Sequence, residues 1–456
     1  MMSAIKMKRV LTTPALVAFG LAYMVPLGIF TTYGQVTTLS QGHLPIAYVI
    51  TLVMIFFTAL SYCRMTNLLP LSGSAYSYVQ HTFGGQMGFL VGWAQTLDYL
   101  FLPILNYIVL GLYLHECFEF IPAWVFILAS LSGVSILNYL GIKLINSVNF
   151  TLIVLQLIFI VLFIILAFSG ADLSPENLIK PLLFHQGDIG GLLSGAAVLC
   201  LAFLGFDAIA TLAEESNNAT KTLPRAILWT VVIAGSIFLI VSYAAHIAFP
   251  HWQTFVGKED TASLDVVHHV GEVSQLKLIS GNFLSSFFLA AYLTGVFASA
   301  MTAQTSISRI LFAMGREGVL PRKIFYRVHK RFHTPHLAIL FVAIFSSLSL
   351  VLPLSLVVSM ISFGALVAFT FVNLCVIKSY LINRNNYTAA NIFKYGLLPT
   401  IGVILSIWLW TSLDKMAMTI GLVWLIIGFC YLLFLTRLFT KKVPSMSDDE
   451  LKNIIN

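Results

Sequence analysis

Two carboxylates stand where an apolar chain would not ordinarily hold one. Asp207 interrupts a run that begins near Ile189, in the order Gly205-Phe206-Asp207. Asp98 lies inside an earlier run and is followed by Tyr99. A carboxylate at the centre of a bilayer-length segment costs about 2.5–3.5 kcal/mol on insertion scales, so both should face protein, not lipid. Gly205 loosens the backbone beside Asp207, because glycine visits conformations closed to other residues. A helix broken there leaves N–H and C=O groups unpaired at membrane depth, which is tolerated only around a buried site or cavity. The break reads as half of a substrate site that attracts an ammonium group. The alternatives are a buried Asp that caps the second half-helix, or one paired with Lys or Arg. Tyr99 and Phe206 offer aromatic faces to a cation, with plain packing as the alternative for Tyr99.

A second interruption is visible near the N-terminus. In Tyr23-Met24-Val25-Pro26-Leu27-Gly28, Pro26 removes a backbone hydrogen bond and Gly28 loosens the next turn. The first and sixth apolar segments are thus both interrupted near their middles, and each opens a set of five. Matching interruptions in two halves point to an inverted-repeat transporter with substrate held at the breaks. On this reading Tyr23, Pro26, Gly28, Asp98, Tyr99, Gly205, Phe206 and Asp207 are the candidate substrate-binding residues. Candidates for coupling or gating are Gln156 in the fifth segment, Ser299 and Thr302 in the eighth, and Glu214 and Glu215 after the second break. Helix packing is the competing explanation for the two hydroxyls, and ordinary interfacial charge for the two glutamates.

The elements that position these residues follow from composition. The chain has 456 residues, 59% of them hydrophobic and 9% charged, too poor in charge for a water-soluble domain of this length. At about 20 apolar residues per crossing, the expected spans are 11–38, 44–67, 84–114, 121–141, 147–169, 189–213, 226–249, 280–312, 336–354, 357–379, 393–412 and 417–439. The fold class is therefore all-α integral membrane, with about twelve helices. Residues 1–440 form one transmembrane domain: repeat one at 11–169, repeat two at 189–379, and two further helices at 393–439 that serve as scaffold or homodimer contact. Residues 441–456 form a polar tail. The first apolar run mimics a signal peptide but is too long, and reads as a retained helix.

Of the 25 Lys and Arg, only Lys180, Lys258, Lys277 and Lys415 fall on the side away from the N-terminus. The positive-inside rule then places both termini in the cytoplasm. The net charge of +7 is this belt, which meets anionic lipid, and not a nucleic-acid footprint. The opposite side carries Glu116, Glu119, Asp172, Glu176, Asp188, Glu259, Asp260, Asp265, Glu272 and Asp414, a negative entrance that concentrates cations or simply a set of solvated loops. The five cysteines are scattered without metal spacing. No phosphate loop, HExxH or serine elbow is present. The chain reads as a non-enzyme without cofactor or metal, driven by a gradient.

Several runs resemble the amino acid–polyamine–organocation superfamily. They are Pro70…Gly73-Ser74-Ala75-Tyr76-Ser77-Tyr78…Gly88-Phe89-Leu90-Val91-Gly92-Trp93, Gly205-Phe206-Asp207…Glu214-Glu215…Pro224-Arg225, and Ser308-Arg309…Gly315-Arg316-Glu317-Gly318…Leu320-Pro321. Leu97-Asp98-Tyr99-Leu100-Phe101-Leu102-Pro103 and the stretch from Ser362 to Leu374 look like those of bacterial putrescine importers. The resemblance implies a five-plus-five inverted repeat plus two helices, substrate between the first, third, sixth and eighth helices, and proton-driven import across a bacterial plasma membrane. Two departures matter. Where amino-acid members carry a glycine-rich break whose amides bind the substrate carboxylate, this chain reads Val25-Pro26-Leu27-Gly28-Ile29-Phe30. Where some proton-coupled members carry Lys, it has Gln156, so that lysine's role is not transferred. The expected substrate is a small organic amine, a putrescine-like diamine first and an amino acid second. A channel and a non-transporting sensor are the rivals from other classes.

Overall fold

The computed structural model describes residues 9–183, 188–259, 262–277, 279–385, 387–411, 413 and 415–444. Lys6, Lys8, Lys452, Asp260, Asp414 and residues 445–456 of the tail lie outside the described residues. In chain order the helices are α1 (Thr13–Met24), α2 (Tyr33–Leu39), α3 (Leu44–Leu68), α4 (Ala75–Phe83), α5 (Gly85–Cys117), α6 (Ala123–Leu140), α7 (Ile142–Gly170), α8 (Pro175–Ile179), α9 (Ile189–Leu199), α10 (Ala219–Ala248), α11 (Ala262–Val273), α12 (Gly281–Glu317), α13 (Arg322–Phe325), α14 (His336–Ser346), α15 (Leu354–Val376), α16 (Ala389–Asn391), α17 (Leu398–Thr411) and α18 (Lys415–Thr436). Eleven helical stretches among the described residues are long and apolar enough to cross a membrane, and the shorter apolar stretch His336–Leu350 occupies the remaining expected span. The architecture is the all-helical membrane bundle that composition requires.

Burial sorts the spans. In their most apolar windows, 72% of the residues are buried for Thr13–Thr31 and for α5, against 17% for α6 and α18. The two interrupted or polar spans near the N-terminus are therefore interior, and α6 and α18 are wall. Lipid gives helices no hydrophobic reason to associate, so small residues that admit close approach set the packing. A Cβ on Gly20 of α1 would lie 2.7 Å from Thr230 of α10, and one on Gly364 of α15 would lie 2.6 Å from the Asp98 backbone nitrogen of α5. The second contact holds α15 directly against the Asp98 turn. On α18, Gly428 admits Trp93 of α5, and the Trp93 and Trp424 indoles each donate to the other's carbonyl at 2.9 Å.

Two boundaries differ from expectation. The small-residue run Leu71–Tyr78 after Pro70 reads as a turn, but the turn ends at Ser74, and α4 begins at Ala75 as a short helix packed on α5. Gly88 and Gly92 of α5 make room for Gln80 and Tyr76 of α4, and this seat outweighs the turn-forming composition. The strongly basic stretch 315–335 reads as a loop, but the loop begins only after Gly318, whose left-handed φ of 85° closes α12 with Val319 N–H donating to the Met314 carbonyl at 3.1 Å. Arg309 and Arg316 stay inside the helix because each has a carboxylate partner there.

Candidate cation-binding site

Both interruptions are real breaks in the backbone. α1 ends at Val25, whose φ of 55° and ψ of 96° leave the helical region, and a tighter 3₁₀ segment runs Pro26–Thr31 before α2. After α9 a 3₁₀ turn, Cys200–Phe203, leads to extended Leu204 and then Gly205 at φ 129°. The chain resumes as a 3₁₀ helix, Ala208–Glu215. Gly205 is required twice over. Its φ is closed to other residues, and an added Cβ would lie 2.6 Å from the Tyr23 ring. The two breaks thus pack on each other.

The backbone groups freed at the first break find partners. Tyr23 C=O accepts from Ser299 Oγ at 2.9 Å, and Asn106 Nδ2 donates to the same hydroxyl at 3.0 Å. Leu27 N–H reaches Gln156 Oε1 at 3.5 Å, and Gly28 N–H donates to the Val25 carbonyl at 2.6 Å. Pro26 has no N–H. Three successive residues of the break therefore have no amide left to offer a ligand. Thr302 donates to Ala298 and Ser299 carbonyls of its own helix, not toward the break.

Asp207 is 2% exposed and Asp98 1%. Asp207 accepts from the Tyr99 hydroxyl at 2.5 Å and from Gly205 N–H at 3.2 Å. It makes no side-chain capping bond to the helical segment that follows. Asp98 immediately precedes Tyr99 in α5, and its Oδ1 is buried with no hydrogen-bond partner. Among the described residues neither carboxylate has a Lys or Arg partner, the ion pairs being Glu215–Arg309 and Glu214–Arg316.

Aromatic rings gather beside Asp207. Tyr23 meets Tyr99 edge-on at 6.1 Å. Phe206 packs against Tyr62 at 5.5 Å and Phe369 at 5.4 Å, and Tyr62 also meets Tyr78 at 6.3 Å. The hydroxyls of Tyr23, Tyr62 and Tyr78 are buried without partners. Sequence reasoning missed Tyr62 of α3, Tyr78 of α4 and Phe369 of α15. No spacing marks them, because a ring facing a site and a ring facing lipid are written alike. The one signal was the small-residue stretch beside Tyr78. Asp207, bonded to Tyr99 and adjacent to Phe206, thus lies in a cluster of four tyrosines and two phenylalanines, and Asp98 precedes Tyr99 in the same turn of α5. Such a cluster suits organic cations.

Toward the basic end the space beneath the breaks is clasped. Arg309 Nε meets Glu215 at 2.7 Å, with side chains 1% and 4% exposed, and Arg316 meets Glu214 at 2.6 Å. Tyr76 donates to Glu317 at 2.6 Å. Val10 and Leu11 N–H both donate to the Glu215 carbonyl, so residues before α1 are tied to the end of the second break by a parallel bridge, Leu11 with Ser216. Toward the acidic end Phe30 packs among Phe159, Phe163 and Phe288, and Thr31 hydrogen-bonds Tyr292.

Comparison with known proteins agrees with this architecture. The profile of the family described as Amino acid permease matches residues 15–455. The low-affinity putrescine importer PlaP of Escherichia coli K12 is 34% identical over 451 residues, covering 98% of each chain. The branched-chain amino acid permease BcaP of Bacillus subtilis is 27% identical over 466 residues, covering 95% of this chain and 94% of its own. The methylthioribose transporter of the same species is 25% identical, covering 92% of each. These relatives are transporters and not enzymes. With a profile matched along almost the whole chain, and a multi-pass helical bundle broken at two facing positions, the protein belongs to the amino acid permease family of the amino acid–polyamine–organocation superfamily and is a membrane transporter of small molecules.

Proposed function

We propose that the protein imports a small organic diamine of the putrescine class across the bacterial plasma membrane by alternating access, driven by the proton gradient and without a bound cofactor. The observation that carries this reading is the pair of buried carboxylates without a basic partner beside an aromatic cluster. An isolated buried carboxylate is strongly disfavoured and demands a counter-charge. A diamine supplies one ammonium to each end of such a site. An amino acid would bring a carboxylate of its own toward Asp98 and Asp207, and the amides that would hold it at the first break are already engaged. The similarity to a putrescine importer points the same way.

Asp207, oriented by Tyr99, and Asp98 bind the two ammonium groups. Tyr23, Tyr62, Phe206 and Phe369 give them aromatic faces, and Gly205 permits the break to close on Tyr23. Glu214–Arg316, Glu215–Arg309 and the Leu11–Ser216 bridge form the inner gate, which must part for release. Both termini lie in the cytoplasm, and the two breaks occupy equivalent places in a five-plus-five inverted repeat. Competition for uptake into proteoliposomes tests the substrate class. Excess putrescine or cadaverine is expected to block uptake of labelled putrescine, and excess alanine, serine or leucine is not. If neutral amino acids compete better than diamines, the substrate is an amino acid and the diamine reading is wrong.

A further inference from the structure

At the basic end a cavity of about 160 Å³ opens between the turn joining α6 to α7 and the segment before α14. Its walls include Gly141, Lys143, Arg331, His333 and Thr334, with Val10 and Glu215 of the clasp at its inner side. The charge balance is positive. Glu215 is neutralised by Arg309, whereas neither Lys143 nor Arg331 has a carboxylate partner among the described residues. His333 is held at φ 56°, and its ring Nδ1 is buried without a partner. Gly141 caps the 29-residue α7 without a side-chain bond. The N–H groups of Ile142 and Lys143 therefore precede the helical ladder, where the helix dipole adds positive potential.

The surroundings say where the ligand comes from. Leu140, itself a wall of the cavity, is 41% exposed, and Leu144 is 39% exposed. Ile136 of α6 and Phe150 of α7 are also exposed, at 59% and 61%. A cationic recess walled in part by an exposed leucine, on helices that carry further exposed apolar side chains, matches a molecule with a phosphate head and acyl chains. We propose that this cavity is a specific site for the phosphate of an anionic phospholipid, with its chains along α6 and α7. Basic recesses at the cytoplasmic side of membrane helices bind such headgroups. Because the same cavity is walled by Val10 and Glu215, an occupied site braces the clasp that joins the chain before α1 to the second break.

The test uses the purified full chain in detergent, with thermal unfolding and native mass spectrometry as readouts. Phosphatidylglycerol, and not phosphatidylcholine, is expected to raise the unfolding temperature and remain bound. The Lys143→Gln/Arg331→Gln variant should weaken that lipid at least about tenfold. Lys323→Gln/Arg327→Gln, which removes equal charge elsewhere on the basic end, should bind it as the unaltered protein does. Equal stabilisation of both double variants, or equal loss in both, overturns a specific site. Full reproduction of the effect by inorganic phosphate, with no added effect of the lipid, overturns the lipid as its source. Lys143 is exposed, so Lys143→Gln alone keeps the test open if the double variant does not fold; a severalfold loss supports the site, and no loss counts against it.

Discussion

Asp207 is the residue on which binding is expected to turn. It has the Tyr99 hydroxyl and the Gly205 amide as donors and no basic side chain to compensate its charge. Asp207→Asn keeps the shape and one accepting oxygen but removes the charge that an ammonium would meet. Losing one side of a desolvated charge pair costs about 2–5 kcal/mol, which predicts at least a thirtyfold fall in putrescine uptake at limiting substrate, at unchanged protein level in the membrane. Tyr99→Phe removes only the hydrogen bond to the carboxylate, about 1.5–3 kcal/mol, and should raise the half-saturation concentration by roughly tenfold or more. Uptake by a well-expressed Asp207→Asn protein at the normal rate would take Asp207 out of the site. That Asp207 faces protein and not lipid was legible from the cost of a carboxylate at membrane depth. Its partner Tyr99 was legible as an aromatic, though the hydroxyl bond between α5 and the second break was not, because nothing in residue spacing says which helices meet.

At the scale of elements, the breaks and the clasp form one device. The breaks pack Gly205 on Tyr23, and the 3₁₀ segment after Asp207 carries Glu214 and Glu215 down to Arg316 and Arg309 of α12. The Glu215–Arg309 pair is buried, and breaking a buried pair costs about 3–5 kcal/mol because the remaining charge is stranded. Glu215→Gln should therefore lower the thermal unfolding temperature clearly, whereas Glu215→Leu combined with Arg309→Met should recover most of the loss. A single variant that melts like the unaltered protein would show that the pair is solvated. Glu214 and Glu215 were visible in the sequence as charges at a helix end. Their partners were not, since Arg309 and Arg316 read as part of a polar stretch leading into a basic loop. α12 extends through both arginines because carboxylates from another element meet them.

For the whole molecule the question is what drives transport. The sequence carries no phosphate loop, so a gradient is the expected drive. Putrescine uptake into proteoliposomes is expected to follow an imposed pH gradient, to collapse with a protonophore and to be indifferent to replacing sodium with potassium. Sodium-dependent uptake that survives the protonophore would overturn proton coupling. Gln156 bears on the same point. It holds the Leu27 amide and packs beside Gly295, so in this chain its position braces the first break with a neutral side chain. Any proton carrier must then be sought among carboxylates such as Asp98.

The sequence by itself determined the membrane class, the helical bundle and the two interrupted segments. Those features follow from transfer energies and backbone chemistry that depend only on residue type and segment length. What tertiary structure decided was the company each residue keeps. Tyr62, Tyr78 and Phe369 gather at Phe206 from three different helices, Ser299 turns to the Tyr23 carbonyl while Thr302 turns back to its own helix, and Lys143 and Arg331 converge on one recess. In lipid the hydrophobic pattern of a helix does not say which face is inward, because both lipid and protein interior are apolar. The pairing of faces is set instead by small-residue contacts and buried hydrogen bonds across elements distant in the chain, and only the folded arrangement displays those.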